Sequence, residues 1–568
     1  MTDAILADLD ENQRDAVTAV SGPVCVIAGA GTGKTRVITR RIAYGVATGA
    51  FRPERTMALT FTAKAAGEMR GRLRALGVGA VAARTFHAAA LAQLNHFWPR
   101  VASSRAPALV PSKLRTLAQA AADRGVAVDT ATLREVMAGI EWRKVSMLSI
   151  AEFTAARPGG VGALDADAVS ALHTGYEEVK DARRQIDFED VLLTCAGMLE
   201  TEPKVAQEVR DQYQHFTVDE FQDVSALQDR LLRLWLGDRD DLCVVGDPNQ
   251  AIYGFAGANP RFLLDFPERF PRVTVVRLER NHRSAPPVLR LANRIIGGQP
   301  GALRLRGDGE DGPDPTVTRY DNDRSEAEGV AAAVSRRLAA GARPDGIAVL
   351  YRTTAQSAEL AGAFARAGVP VSVLGDRRFF DIPEVRQAIM ALRAASVAPI
   401  EGGLIDTVRD VLRALGHTDE PPATGGALRD AWEARAALLA LARDMPAGAT
   451  LRGFTDGLQA RARDQHEPAL ATVTFATMHA AKGLEWDHVH IVGMSEGLMP
   501  IAYARSVAEV DEERRLAYVA VTRARRTLAL SWSAQRGERS RFLPGSGMRT
   551  PDAGTAPPRR EGAPRSAP

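Results

Sequence analysis

The sequence predicts an α/β protein in which two parallel-sheet cores each carry a helical insertion, and three observations carry that prediction. Apolar, β-branched runs alternate with longer Ala/Leu/Arg-rich helical patterns, at Met57 to Thr62, Phe216 to Val218, Leu242 to Val245, Val273 to Leu278, Ile347 to Tyr351, His488 to Val492 and Leu528 to Trp532. The alternation stops twice, from about Ala88 to Lys180 and from about Asp376 to His466, where the pattern is helical with no clear strand. A further run, Val24 to Ala28, leads straight into a glycine-rich turn and then a helical pattern from Arg36 to Tyr44.

Bulk properties agree with this architecture. At 568 residues the chain exceeds what one core can hold, which suggests about three or four units. Hydrophobic residues make up 45% and charged residues 25%, the balance of a globular protein and not of a disordered or membrane one. No apolar run approaches a membrane span and no targeting segment is evident, so a cytoplasmic, nucleoid-associated location without membrane partners is expected. Cys25, Cys195 and Cys243 are isolated, which supports neither a disulfide framework nor a paired-cysteine zinc site. Net charge is +3, so any nucleic-acid site must be local. Gly298 to Pro315 reads as a surface loop, Glu420 to Gly426 as a second loop, and the Pro/Ala/Arg-rich end from Pro551 as a disordered tail.

The turn Ala28-Gly29-Ala30-Gly31-Thr32-Gly33-Lys34-Thr35 reads as a nucleoside-triphosphate cradle. Glycines without Cβ let backbone N–H groups curl around phosphate oxygens, Lys34 reaches the terminal phosphates, and the Thr35 hydroxyl is suited to Mg²⁺. Ala28 stands where the strict pattern has glycine. A second phosphate-chemistry signal is Phe216 to Asp223, a strand delivering adjacent carboxylates. Asp219 is suited to hold Mg²⁺ through water, and Glu220 to orient and deprotonate the attacking water. His488 and His490 alternate on a strand and are read as exposed strand-face residues in preference to a metal pair.

These blocks, with others in the same order, resemble the UvrD/Rep/PcrA family of superfamily 1 DNA helicases. The resemblance runs from Leu9 to about Leu543 and includes Leu9 to Arg14, Leu59 to Ala66, Thr85 to His87, Asp187-Phe188, Val245 to Gly254, Leu278 to Ser284, Met478 to Trp486 and Glu512 to Ala524. It implies two RecA-like P-loop domains with ATP in the cleft between them. Arg283 and Arg523 match the family's γ-phosphate arginines, Gln250 its γ-phosphate sensor and Gln13 its adenine-reading glutamine; Arg36 and Glu485 resemble further nucleotide contacts. His282 stands where many members carry a tyrosine stacked on the base.

For a nucleic-acid track the sequence offers aromatic rings beside hydroxyl and basic groups: Thr60, Phe61 and Thr62; Phe86 and His87; Tyr253 and Phe255; His479 and Lys482. Phe255, Ala256 and Ala63 depart from the family's usual tryptophan, arginine and asparagine. The expected division is a first RecA-like domain at 1–87 and 181–276, a helical insertion at 88–180, a second RecA-like domain at 277–375 and 467–545, a shortened insertion at 376–466 and a tail at 546–568. No nuclease block, terminal cysteine cluster or appended domain is expected. The function implied is an ATP- and Mg²⁺-dependent DNA helicase moving 3′ to 5′ on single-stranded DNA and at junctions with duplex, in repair or replication with proteins of those pathways, and working as a monomer or dimer. The alternatives are a protein-displacing single-strand translocase and a nucleotide-gated binding scaffold without turnover.

Overall fold

A first sheet of six parallel strands organises the amino-terminal half. Its strands are β1 (Val24–Ala28), β2 (Thr56–Thr60), β3 (Ala82–Thr85), β4 (His215–Val218), β5 (Leu242–Gly246) and β6 (Thr274–Leu278), in the order β3-β2-β4-β5-β1-β6. A second parallel sheet comprises β7 (Thr316–Tyr320), β8 (Ile347–Tyr351), β9 (Val371–Val373), β10 (Val473–Thr477), β11 (Trp486–Ile491) and β12 (Ala524–Ser533), in the order β7-β12-β11-β8-β10-β9. This computed structural model describes residues 2–307, 311–374, 379–396, 403–420, 427–446, 448–463 and 472–543.

Strands β1, β2, β5 and β8 are buried along their whole length because helices cover both faces of each sheet. Burial on two faces is why these runs read as continuously apolar instead of alternating. Because β1 lies between β5 and β6 while β2 lies beyond β4, the strand order reverses beside β1, and the carboxyl ends of β1, β4 and β5 open onto one crevice. The two lobes share a continuous core: Leu59, Phe86 and Ile252 of the first lobe belong to the same apolar cluster as Leu516 and Ala517 of the helix Val507–Val521 in the second.

Each lobe carries a helical unit with its own core. In the first, helices Lys113–Asp123, Thr130–Val145, Ile150–Ala156 and Ala166–Ala182 close around Leu117, Val136, Ile140, Phe153, Leu172 and Tyr176. In the second, Pro383–Ala395, Leu404–Ala414, Ala427–Arg443 and Leu451–Arg463 close around Val385, Leu392, Val408, Leu412, Leu438 and Leu458.

Several expectations need adjustment. Strands β3, β7, β9 and β10 are additional to the runs that read as strands in the sequence. The helix Phe86–Ala102 crosses the expected start of the insertion at 88, and its Ala89, Ala90 and Leu94 pack in the first lobe's core. Strand β6 pairs with β1 throughout, so the expected boundary at 276 falls inside a strand of the first sheet. Within the expected surface loop 298–315, Leu303 and Leu305 are buried, and Arg306–Gly307 pairs with Arg280–Asn281. Residues 421–426 of the second expected loop, and the expected tail, lie outside the described residues. His490 is buried, since β11 lies between β8 and β12; His488 on the same face meets Arg337 and Thr527. Burial pushes His490 down to about 4, with Arg337 adding to it, so the ring is neutral near pH 7. Among the described residues no helix is long and apolar enough to cross a membrane.

The first helical unit is joined to the lobe by a buried ionic cluster. Lys144 Nζ lies 2.6 Å from Asp187 and 2.7 Å from Asp190, Lys180 Nζ lies 2.6 Å from Glu177 and pairs with Asp190, and Arg143 lies 2.8 Å from Glu177. Tyr176 donates to Asp187 at 3.1 Å. Three cations thus balance three carboxylates, and removing one leaves an uncompensated buried charge. Lys144→Met is expected to destabilise this unit by about 3 kcal/mol, read as an earlier urea transition by circular dichroism. A midpoint equal to that of the parent chain contradicts this.

Candidate active site between the two lobes

The glycine-rich turn links β1 to the helix Lys34–Ala47, whose first turn carries no acidic side chain and whose capping position is Gly33, so its leading amides have no side-chain partner. Gly31 shows why this turn is glycine-rich. Its φ is +70°, and an added Cβ would stand 2.4 Å from Asn281 Nδ2 and 2.8 Å from Arg283 Cβ. The turn is braced from outside its own sequence: Asn281 Nδ2 donates to the Ala30 carbonyl at 2.6 Å, the His282 amide to Gly31 at 2.9 Å, and Gln13 Nε2 to Thr32 at 2.9 Å. Thr32 Oγ1 donates to the Gly29 carbonyl at 2.9 Å, and Leu305 packs where a Cβ on Gly29 would be. Lys34 Nζ donates to the Ala28 carbonyl at 3.3 Å, so the buried Ala28 backbone lends the ammonium a rest position.

The carboxylates stand at the end of β4. The Asp219 amide is held by the Leu59 carbonyl of β2 at 2.8 Å. Glu220 adopts a left-handed backbone, φ 51°, which costs a non-glycine residue about 1 kcal/mol and sets its carboxylate apart from the strand direction. Gln222 Nε2 donates to that carboxylate. Burial pushes Asp219 up to about 7, with Glu220 adding to it and Lys34 opposing. Burial also acts to raise Glu220, but Lys34, Lys482 and the Gln222 hydrogen bond outweigh it and hold Glu220 below the usual carboxylate range. The pair is therefore split, with Glu220 the ionised member at neutral pH.

The second lobe supplies the opposite wall, where Arg283, Gly483, Leu484, Glu485 and Arg523 face the turn, Arg36, Glu220 and Gln250 across a cleft of about 490 Å³. Arg523 is 2% exposed. Its guanidinium donates to the carbonyls of Val519 at 2.9 Å and Leu484 at 3.1 Å and to Thr522 Oγ1 at 3.0 Å, and no carboxylate among the described residues pairs with it. Burial lowers it to about 9, with Arg283 adding to it. Arg283 pairs with Glu485, which also accepts from Arg525. His282 Nε2 lies 3.4 Å from both Gln13 Nε2 and Asp10 Oδ2 at the outer end of the cleft.

Beside the cleft, aromatic rings form a continuous row that is exposed at Phe61 and Phe255 and half-buried at Tyr253 and His479. Phe61, 43% exposed, stacks on Tyr253 at 5.4 Å; Tyr253 meets Phe255 edge-on at 6.0 Å; and Phe255, 65% exposed, meets His479 at 6.0 Å. Burial lowers His479 to about 4, with Arg352 adding to it, so it joins the row as a neutral ring. His87 packs on the exposed Phe188 at 5.1 Å, and burial holds it at about 4 as well. Thr62 caps the helix Ala63–Ala75, which presents its hydroxyl beside Phe61. Three residues expected in the track are turned away from it. Phe86 is 3% exposed and stacks on Trp235 in the core, and Thr60 is buried within β2. Lys482 is tied to Asp223 and to the Gln250 carbonyl at 2.7 Å beneath the Tyr253 ring, so its ammonium joins the lobes and does not face the row.

Three further groups, to which the sequence assigns no role, complete the site. Asn281 braces the turn, Asp223 receives Lys482 from the other lobe, and Tyr518 stands between the turn and Asp247. Asn281 and Tyr518 lay inside recognised blocks, but only long-range contact gives them partners.

A carboxylate whose pKa is raised on folding stabilises the folded chain while protonated. For Asp219 that contribution is complete below its ordinary value of 3.8 and is lost as the pH rises through about 7. Nucleotide-free Asp219→Asn is therefore expected to be more stable than the parent by roughly 1–3 kcal/mol at about pH 8.5, with the gap narrowing at about pH 5.5. Equal denaturation midpoints at the higher pH contradict this.

Comparison with known proteins agrees with the geometry. The profile described as the UvrD/REP helicase N-terminal domain matches residues 9–271, and that of the UvrD-like helicase C-terminal domain matches 276–396 and 451–535. The chain is 45% identical to the ATP-dependent DNA helicase UvrD2 of Mycobacterium tuberculosis, over 97% of this chain and 83% of that protein. It is 30% identical to DNA helicase II of Escherichia coli over 94% and 85%, and 27% identical to the ATP-dependent DNA helicase PcrA of Bacillus subtilis over 94% and 83%. The chain belongs to the UvrD/REP helicase family.

Proposed function

We propose that the chain is an ATP-dependent DNA helicase, coupling hydrolysis at the interlobe cleft to movement along single-stranded DNA and opening of duplex at a junction. The observation that carries this reading is the convergence of the phosphate turn, Glu220 and two arginines on one cleft, with the aromatic row of Phe61, Tyr253, Phe255 and His479 beside it. The names of the relatives support the same reading.

The triphosphate enters against the leading amides of the helix Lys34–Ala47, whose dipole favours anions, and Lys34 moves from the Ala28 carbonyl to the terminal phosphates. Gln13, Arg36 and His282 flank the nucleoside end. Hard oxygen donors suit Mg²⁺, and the buried Asp219, raised by burial and by Glu220, is a site where a cation relieves repulsion; Thr35 and Asp219 would hold it, the latter through water. Bound there, the ion would neutralise phosphate charge. Glu220, already ionised and fixed by Gln222, takes the proton from the attacking water. Arg523, held by carbonyl and hydroxyl oxygens, and Arg283, released from Glu485, meet the charge that develops on the transferred group. Gln250 stands close enough to report whether that group is present. Since the arginines and the turn belong to opposite lobes, the charge is fully compensated only when the lobes are closed, so turnover drives opening and closing.

Bases stack on Phe61, Tyr253 and Phe255 with little sequence preference. Direction 3′ to 5′ and a role in repair or replication belong to the same proposal, as does action of the monomer at single-strand/duplex junctions.

Glu220→Gln is expected to lower single-strand-stimulated ATP hydrolysis by about a hundredfold or more while nucleotide binding is retained. Turnover equal to the parent's would remove Glu220 from the base role. Phe255→Ala is expected to weaken single-strand binding by about tenfold with folding intact, whereas Phe86→Ala acts on stability, costing about 3 kcal/mol. Fluorescence anisotropy beside thermal denaturation separates the two, and the reverse assignment would contradict the row. Strand displacement measured beside translocation distinguishes a helicase from a translocase that unwinds little.

A further inference from the structure

The helix Val507–Val521 of the second lobe turns one face onto the first lobe's segment 247–254. Glu512, Arg515 and Tyr518 are spaced three residues apart and so share that face. Glu512 Oε1 accepts from the Gly254 amide at 3.0 Å, Arg515 Nε donates to the Ala251 carbonyl at 2.7 Å, and the Tyr518 hydroxyl lies 3.3 Å from Asp247 Oδ2 and 3.5 Å from the Ala30 amide. A Cβ on Gly254 would stand 2.4 Å from the Glu512 carboxylate, so this contact is open only to glycine.

The same Asp247 Oδ2 accepts from Gln250 Nε2 at 2.8 Å. A hydroxyl of one lobe and the carboxamide facing the phosphate end of the cleft in the other thus share a single oxygen. Both contacts of Tyr518 are long for hydrogen bonds involving a hydroxyl, and approach of the lobes by a few tenths of an ångström would bring both to ordinary length. The ring itself is buried and held by packing, so such an approach would move the hydroxyl with its helix.

We infer that Tyr518 is a positioning residue that converts lobe closure into the working orientation of Gln250, acting through Asp247 and the Ala30 amide of the phosphate turn. This rests on the proposed ATPase reading of the cleft and deepens it. When the lobes close, the hydroxyl donates fully to Asp247, the carboxylate holds Gln250 toward the terminal phosphate, and the Ala30 amide gains a second-lobe acceptor. When they part, Asp247 and Ala30 lose that partner together. Because Tyr253 and Phe255 lie three and five residues beyond Gln250 in the same clamped segment, the setting of Gln250 also bears on the aromatic row.

The test is a double-mutant cycle on the full chain with Tyr518→Phe, Asp247→Asn and the pair, measuring steady-state ATP hydrolysis at saturating single-stranded DNA beside thermal denaturation. Tyr518→Phe keeps the buried ring and removes only the hydroxyl. It is expected to lower kcat by about tenfold with KM for ATP changed less than about twofold and the melting midpoint little altered. The double variant is expected to be no slower than the slower single variant, because both substitutions cut one connection. Unchanged kcat in Tyr518→Phe, a loss confined to KM, or multiplicative losses in the pair would overturn the inference while the parent's turnover keeps the ATPase reading standing. A parent chain without DNA-stimulated turnover would overturn both.

Discussion

A buried guanidinium that no carboxylate among the described residues pairs with directly is the constraint on which the cleft depends. Arg523 is satisfied by two carbonyls and a hydroxyl, and beyond them its charge faces a crevice holding Arg283 and, across from them, Glu220 and Lys34. A buried cation left in this way is costly unless an anion arrives. The fold tolerates it because the residue is fixed at the end of a helix whose Leu516, Ala517 and Val519 are embedded in a core continuous between the lobes. Packing energy spread over many apolar contacts thus holds one unfavourable charge in the position where a triphosphate would be drawn to it.

Communication between cleft and aromatic row needs little distance. Residues 247–256 run from the carboxyl end of β5 through Gln250 to Tyr253 and Phe255, and the second lobe grips this stretch through Lys482, Glu512, Arg515 and Tyr518. A relative movement of the lobes cannot leave the segment untouched, since its carbonyls and amides are the attachment points. That is a physical route for coupling hydrolysis to strand movement, made of named hydrogen bonds across the lobe junction.

What the sequence disclosed, and what it withheld, follow from the range of the interactions involved. The phosphate turn and the Asp219-Glu220 pair were legible because phosphate and carboxylate chemistry require particular residues at fixed local spacing, and the strong apolar strands because they are buried on both faces. Strand β7, with the sequence TVTRY on an edge of its sheet, is half polar and gave no such signal. The braces Asn281 and Tyr518, and the position of Leu305 behind Gly29, depend on segments hundreds of residues apart. Phe86 was within reach: Phe86, Ala89, Ala90, Gln93, Leu94 and Phe97 repeat with helical spacing, which puts that ring on the core side. The inward turn of Lys482 was not, because its partner Asp223 lies in the other lobe.

The central claim, that closure assembles one charge-compensated site from two lobes, is tested most directly by a crystal structure of the chain with single-stranded DNA, Mg²⁺ and ADP–fluoroaluminate. The account predicts the Arg283 and Arg523 guanidinium groups within about 3 Å of the fluoroaluminate, with the Arg283–Glu485 pair opened. Lobes closed on the nucleotide with either guanidinium remote from that group would contradict it.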